Sequence, residues 1–235
     1  MARPVPPERF DAILRAATAV FLRSGYRRTQ MADVAAELGV AKGTLYLYVE
    51  SKEALLEQVL LHADRAEPVA LPRALPVPTP RPGAILRKVR ARIRKEASLP
   101  LLAAASRRRR AADAPAELRG IVAELLRLLA SHRDAIKLLD RCAPDYPELA
   151  AVWLDEGRTG VLALLEAWLR KRIAAGQLAP VADVRATARI VVELAAFWAV
   201  HRHWDPTPQT PGWSDAAVEA ALVEFVERAL RGDLP

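Results

Sequence analysis

Lys42, Gly43 and Thr44 are neighbouring residues of different chemistry: an ammonium, a backbone without a side chain, and a hydroxyl with a methyl group. Lys42 supplies an ammonium that can reach a guanine edge or a phosphate, and Thr44 supplies a hydroxyl and a methyl group. Gly43 lies between them without a side chain, so the backbone there can approach a partner closely. The chemistry that these residues offer is recognition by hydrogen bonds and apolar contact.

The next residues add aromatic and apolar groups to the same stretch. Leu45 is expected to face the core, which leaves Tyr46, Leu47 and Tyr48 to point outward. Three large exposed groups on one short helix are unfavourable unless a partner covers them. Two tyrosine hydroxyls on phosphates, with Leu47 against bases, would use all three. Lys52, at a helix N-terminus, would add another phosphate contact.

Two short helices joined by a glycine turn must position these groups. Thr29 is a predicted N-cap for a helix over 30–38, and Gly39 can adopt the positive φ that ends it. A second helix over 42–48 then carries the recognition residues. This pattern predicts a helix-turn-helix, whose second helix lies in the major groove of DNA.

The run GVAKGTLYLYVESKEALL, which begins at Gly39, resembles the signature of the TetR family of transcriptional regulators. The resemblance covers roughly residues 10–60, with Ala41 where the family usually has Ser and Val49 where it usually has Phe. It implies a homodimer that binds near-palindromic operator DNA. It also implies phosphate contacts by Thr29, Tyr48 and Lys52, and contacts in or beside the groove by Lys42, Gly43, Thr44, Tyr46 and Leu47.

The composition argues against several other classes of protein. The 235 residues carry a net charge of +7 and contain no run of about 18 uncharged apolar residues that would predict a membrane-spanning helix. The single cysteine, Cys142, excludes an internal disulfide and fits a reducing cytosol. Catalytic, cofactor-binding and metal-binding motifs are missing from the sequence. We therefore expect a cytoplasmic protein that is not an enzyme and has no cofactor, metal or membrane partner.

The helical spacing of the apolar residues predicts an all-α fold. Proline-rich stretches at 68–82 and 205–212 interrupt the pattern. We expect an N-terminal three-helix DNA-binding domain with the helix-turn-helix over 1–51, and a larger helical ligand-binding and dimerisation domain over 52–235. The predicted helices lie near 7–24, 30–38, 42–48, 52–66, 83–97, 100–112, 115–139, 147–175, 182–203 and 214–231.

Two of these helices, 147–175 and 182–203, are more apolar than one core face requires. Burial against a second copy of the chain would account for the surplus, and the family resemblance implies the same homodimer contact. The alternative is an ordinary intramolecular core.

Positive charge is concentrated at 81–119. In the first 60 residues, by contrast, eight Lys and Arg are balanced by seven Asp and Glu. A solvated surface, a second nonspecific DNA contact and an anionic effector site are all compatible with this pattern.

The family resemblance implies a pocket among the helices of 83–175 and, by default, an apolar or aromatic small molecule that releases a repressor from its operator. A protein partner instead of a small molecule, and activation instead of repression, stay open at this point. An aromatic cluster over 198–213 could line a pocket or fix the last helix. The candidate ligand-binding residues, each of which could also be plain core, are Leu101, Leu102, Ile121, Leu125, Leu128, His132 and Trp153.

Overall fold

The computed structural model describes residues 6–152, 158–205 and 212–231. Within these ranges the regular structure is helical, apart from one isolated bridge between Val49 and Val77, so the all-α prediction is confirmed. The helices are α1 (Pro7–Arg28), α2 (Met31–Leu38), α3 (Lys42–Leu45), α4 (Lys52–His62), α5 (Ala84–Glu96), α6 (Pro100–Arg107), α7 (Ala114–Ser131), α8 (Arg133–Cys142), α9 (Pro147–Ala151), α10 (Thr159–Ala174), α11 (Val184–Ala199) and α12 (Asp215–Arg231).

The chain divides into two compact units that interleave along the sequence. The first unit comprises Met1–Lys95 and Asp134–Trp153, and the second comprises Glu96–Arg133 and Leu154–Pro235. The predicted division at residue 51 concerns function and stays a prediction, since the compact units follow other bounds.

The first unit is built around the inner face of α1. Its apolar stripe is buried against α2 and α4, as the helical spacing of those residues predicts. A later part of the chain completes this core, because α8 and the residues after it bury five side chains in the same cluster. Those five are Leu138, Leu139, Cys142, Leu149 and Val152.

The second unit is arranged around α7, which packs against both α11 and α12, while α10 packs against α6 and α11. A buried ion pair ties α7 to α10: the guanidinium of Arg172, 0% exposed, donates from Nε to Glu117 Oε2 at 2.6 Å. The same guanidinium donates to the carbonyls of Arg108 and Ala105 at 3.0 Å each, and Trp168 Nε1 donates to Glu117 at 2.8 Å. Every charge in this site therefore has partners.

Several predicted helices differ from the observed ones; those predicted over 52–66 and 100–112, for example, end at His62 and Arg107. The helix predicted over 115–139 is two helices, α7 and α8, because His132 leaves the helical conformation at φ −119° and ψ 21°. No glycine or proline marks this break. The helix predicted over 42–48 ends at Leu45. The prediction over 147–175 is not tested along its whole length: α9 and α10 lie within this range, and residues 153–157 between them lie outside the described part.

Candidate nucleic-acid interface

The turn before the recognition residues forms largely as the sequence predicts. Gly39 adopts the left-handed conformation (φ 72°, ψ 35°), and its N–H bonds to the carbonyls of α2. The predicted N-cap at Thr29 is wrong, since Gln30 holds that position and its N–H donates to the Asp33 carboxylate at 2.7 Å. Thr29 instead is fully buried, and its hydroxyl donates to the carbonyl of Gly25 at 2.7 Å.

The short helix α3 and the turn that follows it present five residues away from the core, which we call the recognition surface: Lys42, Gly43, Thr44, Tyr46 and Leu47. Thr44 is half-buried and the other four are exposed, with Tyr46 at 40% and Leu47 at 58%. The Lys42 ammonium lies 6.0 Å from the centroid of the Tyr46 ring. The surface thus offers an ammonium, two hydroxyls and an apolar side chain within six consecutive residues.

The expectation that Tyr48 points outward is wrong. Its side chain is 2% exposed, and its ring stacks on Phe10 with centroids 6.4 Å apart. Residue 48 follows Leu45 by three positions, a spacing that places both on the same inner side. Burial also raises the pKa of the Tyr48 hydroxyl. In this conformation Tyr48 supports the recognition surface from beneath.

The structure also gives Lys52 partners other than phosphate. Its ammonium donates to the carbonyls of Tyr26 and Thr29 at 2.9 Å each and lies 4.3 Å from the centroid of the Tyr26 ring. These carbonyls belong to the end of α1, where helical carbonyls lack partners within the helix. Lys52 therefore caps α1 and fixes it to the start of α4.

A polar network that the sequence did not reveal surrounds this cap. The Tyr26 hydroxyl donates to Glu53 at 2.6 Å, and that hydrogen bond holds the pKa of Glu53 below its usual value. Asp145, from a turn after α8, accepts the Arg27 N–H at 2.7 Å. Gly25 adopts φ 75° and ψ 174°, a conformation nearly restricted to glycine. No spacing rule links residues near 25 to residue 145, so sequence reasoning missed the contact.

The candidate ligand-binding residues lie in the second unit, except for Trp153, which is outside the described residues. Leu102, Ile121 and Leu125 are buried core at 1–3% exposure. Leu128 is half-buried, and Leu101 packs so near α7 that a Cβ on Gly120 would lie 2.7 Å from it. The His132 ring nitrogen Nδ1 is 3.8 Å from Glu96. Three grooves lined by described residues are formed by other side chains.

The helices α11 and α12 of the second unit carry an exposed apolar face. Ile190 and Phe197 of α11 are 57% and 39% exposed, and Phe225 of α12 is 60% exposed. Beside them lies a groove of about 540 Å³ whose lining includes Trp198 and Trp213. The predicted dimer helix 182–203 contains the α11 part of this face, whereas the contribution of α12 was not predicted.

The basic segment 81–119 is divided between the units. The basic residues of α5 up to Lys95 lie in the first unit, whereas the run Arg107–Arg110 lies in the second. In that run Arg110 donates to the carbonyl of Ala175 at 3.0 Å.

Two kinds of feature are missing from residues 6–152, 158–205 and 212–231. No helix there is long and apolar enough to cross a bilayer. No group of histidine, cysteine and acidic residues in that part of the chain could hold a metal ion.

Comparison with known proteins bears on the first unit and on the whole fold. Residues 13–59 match the model of the bacterial regulatory proteins of the tetR family. No curated protein sequence matches the chain. The ketosteroid transcriptional regulator KstR2 of Mycobacterium tuberculosis shares the fold with a TM-score of 0.58 and 18% identity, over 98% of each chain. A tetR-family regulatory protein from Rhodococcus RHA1 aligns with a TM-score of 0.51 and 21% identity, over 92% of this chain and 94% of that one.

The matched segment contains the helix-turn-helix and the recognition surface. Residues 13–59 are therefore similar to the corresponding segment of the bacterial regulatory proteins of the tetR family.

Proposed function

We propose that this protein is a homodimeric repressor that binds a near-palindromic operator and leaves it when a small apolar or aromatic ligand binds. The observation that carries the DNA part is the recognition surface. Tyr46 and Leu47 are exposed to solvent on a turn whose other residues, Leu45, Tyr48 and Val49, are buried. Large apolar side chains exposed to water are unfavourable, and binding of a partner that covers them is favourable.

Within the recognition surface we assign separate tasks to phosphate and base contacts. The Lys42 ammonium and the Tyr46 hydroxyl are suited to phosphates, and the Thr44 and Leu47 side chains to base edges and thymine methyls. Thr29, Tyr48 and Lys52 support the surface structurally, since their functional groups lie in the interior or already bond to backbone.

The experiment for DNA recognition is selection of bound duplexes from a random pool, first with the wild type and then with Leu47→Ala. We expect a palindrome whose half-sites lie about one helical turn apart. Leu47→Ala should change the preferred bases, whereas the matched control Leu164→Ala, in the second unit, should not. A wild-type protein that shows no preference over random competitor DNA would refute the proposal.

The homodimer part is supported by the exposed apolar face on α11 and α12. A monomer rarely leaves several large apolar side chains together in water. We expect the wild type to sediment as a dimer and Ile190→Glu to sediment as a monomer. Leu47→Glu is the matched control, since Leu47 is equally exposed at 58% but lies on the recognition surface, and it should remain a dimer. A monomeric wild type would contradict this part.

The effector part is supported by the family resemblance and by KstR2, a regulator of the same fold whose name refers to ketosteroids. A ligand weakens DNA binding when it binds the DNA-free state more tightly, with couplings usually of about 1–3 kcal/mol. The measurement is a screen for compounds that release the selected DNA. A protein partner is the second candidate, favoured by the exposed groove beside Trp198 and Trp213. If an apolar compound releases the DNA without any protein partner, the protein-partner hypothesis is refuted.

A further inference from the structure

The chain between α4 and α5 returns to the recognition surface instead of crossing directly to the next helix. We call residues 63–83 the return segment. Val69 and Val77 of this segment are buried in the first core, at 8% exposure each. The N–H of Val69 donates to the Asp11 carboxylate of α1 at 2.9 Å. The return segment is therefore held against the DNA-binding helices at more than one point.

Its closest attachment is to the residues that directly follow the recognition surface. The Val77 N–H donates to the Tyr48 carbonyl at 2.8 Å, and the Glu50 N–H donates to the Val77 carbonyl at 3.0 Å. The Thr79 hydroxyl lies 2.9 Å from the Ser51 hydroxyl. These bonds fix residues 77–79 beside the exit from α3.

Ion pairs between α4 and α5 establish the direction in which the chain continues. Lys88 pairs with Glu57 at 2.8 Å. Further along, Arg92 donates to the Leu60 carbonyl at 2.6 Å and pairs with Asp64 at 2.7 Å. Later residues of α5 thus meet later residues of α4, so the two helices run parallel. The first turn of α5 accordingly lies near the first turn of α4, at the end of the unit that carries the recognition surface.

Two arginines are exposed at this end. Arg81 follows Thr79 by two residues, so its Cα lies within about 7 Å of the Thr79 Cα. The Arg87 side chain folds back over the start of α5, because its Nη1 lies 3.3 Å from where a Cβ on Gly83 would be. Neither guanidinium has a hydrogen bond or an ion pair within the described part of the chain.

The carboxylates nearest along these elements already have partners. Glu50 accepts the Thr79 N–H at 2.8 Å, and Glu57 pairs with Lys88. Because these carboxylates already have partners, Arg81 and Arg87 remain available to bind an anion. Guanidinium groups suit phosphate because they can donate two parallel hydrogen bonds.

We propose that Arg81 and Arg87 form a second contact with the DNA backbone, on phosphates next to those that the recognition surface covers. This inference rests on the proposed DNA-binding function. The contact is independent of base sequence, because phosphates carry no sequence information. The return segment places it by bringing the start of α5 beside the exit from α3.

The test is the salt dependence of DNA binding by Arg81→Gln/Arg87→Gln. Each phosphate contact contributes about 0.9 to the slope of log K against log salt, so the double variant should have a slope smaller by about 1.8. Between about 50 and 200 mM salt, the wild type should then lose roughly 12-fold more affinity than the variant loses. Arg65→Gln/Arg94→Gln is the matched control. Both of these arginines are exposed in the first unit but lie toward the far ends of α4 and α5, so the control should keep the wild-type slope.

The slopes are measured on both the selected operator and a duplex of random sequence. We expect the same reduction on both duplexes, with the ratio of specific to nonspecific affinity unchanged and with wild-type helicity and melting temperature. A wild-type slope in the Arg81→Gln/Arg87→Gln protein, or an equal reduction in the control, would overturn the inference and leave the proposed function intact. A wild type without any base preference would refute the proposed function. A reduced slope of the Arg81→Gln/Arg87→Gln protein on the random duplex would still support this contact.

Discussion

Lys52 and Lys42 allow a direct test of which lysine stabilises the fold and which binds DNA. In Lys52→Met the apolar stem is retained and the ammonium is lost, so the carbonyls of Tyr26 and Thr29 lose donors at 2.9 Å. Hydrogen bonds to a charged group are worth about 1.5–3 kcal/mol, and Lys52 is half-buried, so we expect an overall loss of about 2–3 kcal/mol in the free energy of unfolding. For a chain of this length the melting temperature should fall by roughly 4–12 °C.

The assay combines thermal melting, followed by circular dichroism, with the salt dependence of DNA binding at low temperature. Lys52→Met should melt earlier and keep the wild-type salt slope. Lys42→Met, which removes an exposed ammonium of the recognition surface, should keep the melting temperature and lower the slope by about 0.9. If Lys52→Met kept its melting temperature but lost one unit of slope, the ammonium would bind phosphate and our assignment of it as a helix cap would be wrong.

Three further variants or treatments examine the interior. Gly25→Ala should lose about 1–3 kcal/mol of stability, since alanine is strained at φ 75° and its Cβ would lie 3.2 Å from the Arg141 carbonyl; an unchanged melting temperature would contradict this. Glu117→Gln should lose about 3–5 kcal/mol in urea unfolding followed by tryptophan fluorescence. Burial alone would raise the pKa of Glu117, but hydrogen bonds from Arg172 and Trp168 outweigh burial and lower this pKa. The stabilisation by Glu117 is therefore present above its unfolded-state pKa, and it should shrink as pH falls through the lower folded-state pKa. A stability difference between wild type and Glu117→Gln that increased in acid would contradict this direction. The Cys142 thiol, whose pKa burial raises to about 12, should resist a thiol reagent at pH 8 until urea unfolds the chain, and rapid labelling of the native protein would show the site to be open.

The helix-turn-helix was predictable because its features are local. Apolar residues at helical spacing define the inner faces of α1 and α2, and Gly39 marks the turn between α2 and α3. The exposed groups Lys42, Tyr46 and Leu47 follow from the position of Leu45 within one turn. Each of these inferences needs only residues a few positions apart.

The errors at the site concern partners that are distant in sequence. Tyr48 is turned inward at a point where the chain leaves the helix to bond with Val77, 29 residues later. Lys52 bonds to carbonyls more than 20 residues earlier. Prolines at 68–82 correctly predicted an interruption of the helices, but proline content alone does not determine which element an extended segment contacts.

The interleaving of the two units has a consequence for how the molecule is made on the ribosome. The hydrophobic interior around α1 needs Leu138, Leu139 and Leu149, which are synthesised long after the helix-turn-helix has left the exit tunnel. The core of the first unit is thus completed only after more than half of the polypeptide has been translated. A chimaera that joins the first unit to a different protein would need the stretch from Asp134 to Val152 as well as the N-terminal helices.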